Sequence, residues 1–470
     1  MLRIVGRGST PCDGVTRREL LKVGAVSLFS PLTLPQLLRA ERSGARRDGA
    51  PAKSVVLLNL FGGPPHQDMF DLKPNAAENV RGEFKPISTS VPGLQISELL
   101  PKTALLMDRA TLIRSYSHRY NSHNPYNVLT GFDGGSDRDN YFAKVTDHPG
   151  MGSICQYLDM GPKDVPRYVM MPAFPGYTQA LRRAGPYGGY LGSQYDPLFT
   201  ICDPQIERES KGDYDPVEAI GFPTPPSLDA LPGLTANRFD NRRSLLEQLD
   251  SDLDRLEASG ATQRMNEYKQ QAFALLSSSK TRAAFDITRE PEEVREAYGR
   301  NLWGSSILIA RRLVEAGSTF VTVNWEAKGN NHWDLHANNF GMLRSHCPQL
   351  DRLISAFVTD LEQRGLLDST LVVVMGEMGR TPKVNAKAGR DHWPQCGFSL
   401  LFGGGTRRGA VVGATDKLAA WPTERPVSAG DMVATIYELL GVNPHMMVDD
   451  LSGRPIPIAH GGAPVREAIA

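Results

Sequence analysis

Four stretches of this chain concentrate the residue types that hold cations and move protons. "FGGPPHQDMFD" (61–71) places His66, Asp68 and Asp71 in one loop, and "RSYSHRYNSHNPYNVLTGF" (114–132) offers Ser117, His118, Asn121, Ser122, His123 and Asn124. "NWEAKGNNHWDLHANN" (324–339) alternates His332, Asp334 and His336, and "GEMGRTPKVNAKAGRDHWP" (376–394) gathers Glu377, Arg380, Arg390, Asp391 and His392. Imidazole nitrogen with carboxylate oxygen is the usual ligand pair for zinc, manganese or iron, whereas calcium tends to take oxygens alone. Alternate residues of an extended loop point the same way, so His332, Asp334 and His336 can converge on one cation. The planar fork of Arg380, or of Arg390, suits an anion.

Each cluster taken singly has a plainer reading. A His and two Asp in a Gly-Pro turn commonly hydrogen-bond the backbone, and a loop with Trp333 packed down can be stapled by its own Asn and Asp turns. Histidine is scarce, however, with ten in all, and acids with histidines recur at three strand ends. That coincidence predicts a metal site drawn from His66, Asp68, Asp334, His336, Glu377, Asp391 and His392. Ser122, with His123 next to it, stands ahead of a short helix closed by Gly131, and these two with Arg380 are the catalytic candidates. A hydroxyl there is a nucleophile if a cation lies beside it, and a helix cap if none does; Asn124 caps equally well.

The elements that must position these residues alternate in type. Nearly all-apolar runs at 54–60, 110–115, 167–172, 318–325, 369–375 and 397–404 suit strands covered on both faces. Amphipathic stretches at 150–160, 301–317, 347–365 and 428–441 read as helices, the last between a Ser cap and a Gly stop. This alternation predicts an α/β fold with a doubly wound, mostly parallel sheet, whose ligands bind beyond the carboxyl ends of the strands. Within a main domain spanning 52–465, a segment at 235–300 departs from the pattern. Leu246, Leu249, Leu253 and Leu256, then Met265, Tyr268, Ala272 and Leu275, predict an inserted helical hairpin.

Lysine plus arginine equals aspartate plus glutamate at 52 each, so no global field draws the chain to nucleic acid. Residues 1–45 read as a twin-arginine signal: "TRRELLK" (16–22) precedes an apolar run too short to cross a bilayer. Cleavage between Ala40 and Ala52 would leave a mature chain without a transmembrane anchor. The expected partner is the twin-arginine export machinery, the expected location periplasmic or extracellular. That route carries folded proteins, which allows a cofactor to be loaded first. Five cysteines without C-x-x-C spacing exclude a zinc ribbon or disulfide framework.

The twin-arginine leader, "GGPPHQDMFD", "HNPYNVLTG", "WDLHANN", "GEMGRTP", "GRDHWP" and "GATD", in this order, resemble the exported proteins grouped as domain of unknown function 1501. These in turn resemble the alkaline phosphatase and sulfatase superfamily. The resemblance implies an alkaline phosphatase-like fold and a divalent metal, zinc, manganese or calcium. It also implies a phosphate or sulfate ester as substrate, a small anionic molecule or a glycan. "NVLTG" is similar to the segment after the superfamily nucleophile and so places Asn121 or Ser122 near that position. Asp334 with His336 resembles an Asp-and-His ligand pair, and His392 the last His ligand. Glu377, Met378 and Gly379 stand where the superfamily carries Asp-His-Gly, and a thioether is no substitute for imidazole on a hard cation. A non-catalytic relative that kept the fold is therefore the alternative reading.

Overall fold

The six apolar runs form strands because their β-branched and aliphatic side chains fill both faces of a pleated surface. The computed structural model describes residues 47, 49–121, 123–133, 142–212, 214–226, 278–328 and 332–470. The main sheet comprises β1 (Ser54–Asn59), β2 (Ala110–Tyr116), β3 (Tyr168–Met171), β4 (Leu198–Phe199), β5 (Phe320–Asn324), β6 (Thr370–Met375), β7 (Gly397–Phe402) and β8 (Ala410–Val412). Its order is β8-β2-β7-β6-β1-β5-β3-β4. Only β7 runs against its neighbours; the other pairings are parallel.

Register sets the site. Asn59 lies opposite both Asn324 and Met375, so the three central strands end at one level. Met171 pairs with Val323 beside them. On the other side Met375 pairs with Ser399 of antiparallel β7, and Gly397 at the start of β7 pairs with Tyr116 at the end of β2. One edge of the sheet thus receives the loops leaving β1, β2, β3, β5 and β6, and the segment entering β7.

Short helices α1 (His66–Met69) and α2 (Tyr126–Thr130) begin in two of these loops, and α3 (Met151–Tyr157), α4 (Leu302–Ala316), α5 (Asn339–Gln363) and α6 (Ala429–Leu439) follow. Val56 and Leu58 share one apolar core with Ile307 of α4 and Leu353 of α5. Alternation along β1 sends Val55 and Leu57 to the other face, and α3 packs on β3 and β5 outside that core. Helices therefore cover both faces. Ser428 caps α6 in a full capping box with Asp431.

Three details differ from the sequence reading. Strands β4 and β8 are two and three residues long, too short for a periodic signal. Helix α5 begins at Asn339 rather than at 347, and continues through Pro348. Phe340, Met342, Leu343 and His346 extend its buried face, which outweighs the single backbone bond that proline removes. Of the expected hairpin, 235–277 lies outside the described residues; Ser279–Phe285 and Glu292–Tyr298 are helical.

The strand-end loops meet by close backbone contact. Gly62 has φ +107°, and a Cβ there would stand 2.2 Å from the amide nitrogen of Asp334. At Gly389 a Cβ would stand 2.0 Å from the carbonyl oxygen of His336. Gly62→Ala is expected to lower stability by about 3 kcal/mol, combining positive-φ strain with overpacking. A urea midpoint equal to that of the unchanged protein would contradict this contact.

Candidate metal centre

The loop after β5 is shaped by its apolar members. Trp333 and Leu335 are fully buried, with Trp333 edge-on to Trp325 and His346 at 5.5 and 5.3 Å between ring centroids. The Trp333 amide donates to Phe61 O at 2.6 Å and the Arg390 amide to Leu335 O at 2.9 Å. Pinned at both sides in extended form, the loop turns Asp334 and His336 the other way. His392 comes from a two-residue ladder in which Arg380 pairs with His392 and Gly379 with Trp393. His123 comes from the loop between β2 and α2.

His123, Asp334, His336 and His392 each present one donor atom, and the four lie within 4.8 Å of one another. Asp334 Oδ1 is the hub. His336 Nε2 stands 3.0 Å from it, His123 Nε2 3.1 Å, His392 Nε2 3.4 Å and Arg380 Nη2 2.5 Å. His336 Nε2 and His392 Nε2 are 3.0 Å apart. Donor atoms held about 2.0–2.1 Å from a tetrahedral cation stand about 3.3 Å apart, close to the 3.0–3.4 Å between Asp334 Oδ1 and the three imidazole nitrogens.

The protons argue in the same direction. His336 Nδ1 lies 2.8 Å from Asp391 Oδ1 and His123 Nδ1 lies 2.9 Å from Glu377 Oε1. Carboxylates accept, so each Nδ1 carries a proton, and in the neutral ring each Nε2 lone pair then faces Asp334. His123 Nε2 is buried and makes no hydrogen bond. A carboxylate oxygen has about two lone pairs and cannot satisfy four nitrogens. A cation among the three imidazoles and Oδ1 resolves the arrangement, so the residues present fit one.

The same crowding shifts the titrations. Burial would raise the Asp334 carboxyl, but His123, His336, His392 and Arg380 together hold it far below the usual range. Burial would lower His123, and the Asp334 and Glu377 carboxylates more than reverse it. Asp334 raises His336, with Asp391 adding to the effect against burial. His392 is lowered, because burial exceeds the pull of Asp334.

The expected site residues divide into three groups. Asp334, His336 and His392 converge, joined by His123, which the sequence marked as catalytic rather than as a ligand. Glu377 and Asp391 stand behind two of the imidazoles and orient them. Glu377 also accepts the Gly62 amide at 2.7 Å, and its carbonyl accepts from Asn127 Nδ2 at 3.1 Å. His66 and Asp68 lie elsewhere. His66 Nε2 contacts Ala419 O at 2.7 Å, its ring lowered to about 4 by burial. Asp68 takes the Arg390 fork at 2.7 and 2.8 Å and Asn339 Nδ2 at 2.9 Å.

The two arginines also differ from expectation. Both are fully buried. Arg380 donates to the carbonyls of Gly62, Gly63, Trp333 and Arg390 besides Asp334, and Arg390 to those of Val80, Thr381 and Pro382 besides Asp68. Their forks join loops and do not face a ligand. Ser122 lies outside the described residues.

A cavity of about 290 Å³ opens beside the cluster, lined by Phe61, His123, Arg183, Lys328, His332 and Asp334 among others. Arg183 and Lys328 share its wall with the carboxylates of Asp334 and Glu326, and burial lowers His332 to about 4. His332 Nδ1 accepts the Asp334 amide at 3.2 Å, which holds the loop rather than the cation.

A doubly wound α/β domain with a three-histidine, one-carboxylate candidate cation site at the carboxyl edge of its sheet is the class that fold and site define. The chain belongs to the family described as protein of unknown function (DUF1501), whose model matches residues 52–469. No curated protein matches it. Among solved structures it is similar to the lipoteichoic acid synthase LtaP of Listeria monocytogenes, at 9% identity and TM-score 0.35 over 90% of this chain and 81% of that one. It is similar to the PsFucS1 sulfatase of Pseudoalteromonas sp., at 13% identity and TM-score 0.35 over 91% and 72%. The phosphonate monoester hydrolase SpPMH of Silicibacter pomeroyi follows at 12% identity and TM-score 0.31 over 87% and 77%. Likeness at this level assigns no chemistry to this chain.

Asp391 lies outside the four donors and is more than half exposed, so its loss leaves the core intact. Asp391→Asn is expected to weaken zinc binding about tenfold or more, as removal of outer carboxylates on ligating histidines does. Isothermal titration of both proteins with zinc measures this; equal affinities would remove Asp391 from the centre.

Proposed function

We propose that the protein is an exported, metal-dependent hydrolase acting on an anionic phosphate or sulfate ester, either a small molecule or a glycan. The observation that carries this reading is the sharing of His123 and Asp334 between the four-donor cluster and a cavity that also holds Arg183 and Lys328. Three imidazole nitrogens and one carboxylate oxygen suit zinc or manganese and speak against calcium, which prefers oxygen. Bound there, such a cation supplies Lewis-acid stabilisation of a tetrahedral oxoanion and lowers the proton affinity of oxygen nucleophiles.

The protein's own residues supply the remainder. Lys328, exposed and paired with Asp203 at 2.8 Å, attracts the anion. Arg183, buried like Arg380 and Arg390 and bonded to His123 O and Gln179 Oε1, adds its charge from behind the wall rather than a free fork. Glu377 and Asp391 fix the tautomers of His123 and His336. Arg380 ties the loops after β1 and β5 to Asp334, so the donors are held before any ligand arrives.

One observation favours a second reading. Structural zinc sites are closed by four protein ligands, whereas catalytic ones keep a position open, and four donors are present here. A binding protein with a structural cation would share this geometry. Elemental analysis of chelator-free protein, with activity on aryl phosphate and aryl sulfate, separates the readings. The hydrolase reading expects about one metal per chain, turnover of at least one ester, and loss of both in His392→Ala and Asp334→Ala. Bound metal without turnover would leave the second reading, and no metal would end both. Export rests on the paired arginines: Arg17→Lys with Arg18→Lys is expected to retain the precursor in the cytoplasm, as read by cell fractionation.

A further inference from the structure

The cavity beside the cation cluster has a second constellation on its wall. Thr178, on the 3₁₀ turn Tyr177–Gln179 in the loop after β3, and Glu326, two residues beyond the end of β5, both line it. Thr178 Oγ1 donates to Glu326 Oε1 at 2.9 Å. The other carboxylate oxygen accepts from Asn324 Nδ2 at 3.0 Å and from the Gly176 amide at 2.9 Å. Asn324 Oδ1 accepts from Asn59 Nδ2 at 2.7 Å. Both asparagines end central strands, so the carboxylate is fixed to the most rigid part of the sheet. Glu326 is buried and Thr178 half-buried, its hydroxyl being the one hydroxyl among the described lining residues. A hydroxyl on a carboxylate that a third group holds in place is the arrangement of an activated oxygen nucleophile.

The plainer account is that Thr178 completes the hydrogen bonds of a buried carboxylate. Two facts go beyond it. The Gly176 amide and Asn324 already serve that carboxylate, and the cavity is the one shared with His123 and Asp334. Burial also raises the Glu326 carboxyl against the donors around it, which makes the carboxylate a better proton acceptor.

We propose that Thr178 is the nucleophile of the hydrolysis and Glu326 its general base, an inference that rests on the ester-hydrolase reading. Thr178 Oγ forms a bond to the phosphorus or sulfur of the ester, and its proton passes to Glu326. The bond from that centre to the ester oxygen breaks, and the alcohol leaves as its oxyanion and takes a proton from solvent. Water then attacks the threonine ester and gives one proton to solvent, balancing the one the alcohol took; Thr178 Oγ leaves and recovers the proton from Glu326, and phosphate or sulfate is released. No oxidant or second substrate is needed.

The test uses the full chain loaded with zinc, with 4-nitrophenyl phosphate and 4-nitrophenyl sulfate in separate arms. Acid quench in the first turnovers, followed by peptide mass spectrometry, is expected to find one phosphoryl or sulfo group on Thr178. Thr178→Ala is expected to keep its zinc and lose turnover by about a hundredfold or more, while Thr178→Ser takes up the group and restores turnover. Glu326→Gln is expected to keep its zinc and slow labelling about a hundredfold. Zinc content shows that each variant has folded. A label on another residue, or Thr178→Ala working as fast as the unchanged protein, overturns the assignment and leaves the hydrolase reading standing. Zinc-loaded unchanged protein that hydrolyses neither ester overturns that reading and this inference with it.

Discussion

The loop edge of this protein is organised around one oxygen. Asp334 Oδ1 receives Arg380 Nη2 at 2.5 Å and faces the Nε2 atoms of His123, His336 and His392 at 3.0–3.4 Å. Gathered positive charge and hydrogen-bond donors lower the cost of burying a carboxylate, and the sheet exists in a form that brings them there. The level ends of β1, β5 and β6 supply Gly62, Asp334 and Glu377, and antiparallel β7 returns His392 to the same edge. Arg380 then acts as a cross-tie: its other acceptors are backbone carbonyls of the loops around Asp334, so the hub and its frame are one hydrogen-bonded unit.

This unit explains the division of labour among the acids. Asp334 faces three imidazoles. Glu377 and Asp391 each hold the far side of one ring and decide which nitrogen is bare. Asp68 stands with Arg390, a buried bidentate pair that joins α1 to the loop ahead of β7. Four carboxylates of similar sequence setting thus do three different things, and the partner decides which.

That is also where sequence reasoning ends. The central strands were legible because burial on both faces leaves an apolar run, and their alternation with helices pointed to the carboxyl edge as the place for a site. The alternation of His332, Asp334 and His336 identified the loop that carries the hub. It did not separate His332, which turns to hold a backbone amide, from His336. Asp68 and Asp334 looked alike because what distinguishes them is a partner far along the chain: Arg390 is 322 residues from Asp68. His123 was noticed but placed in a different role, since ranking it with the ligands needs the strand order that sets β2 beside β7.

The antiparallel course of β7 has a consequence for how the protein comes into being. Glu377, the carboxylate that orients His123, lies 254 residues after it, and His392 follows only with the segment entering β7. A chain emerging from the ribosome therefore holds His123 for most of its synthesis without the groups that orient it, and the fourth imidazole arrives among the last. Pairings of such separation form slowly. Donors that meet only when the sheet has closed cannot select a cation earlier, so any choice of metal at this centre is deferred to the end of folding, in whatever compartment that happens.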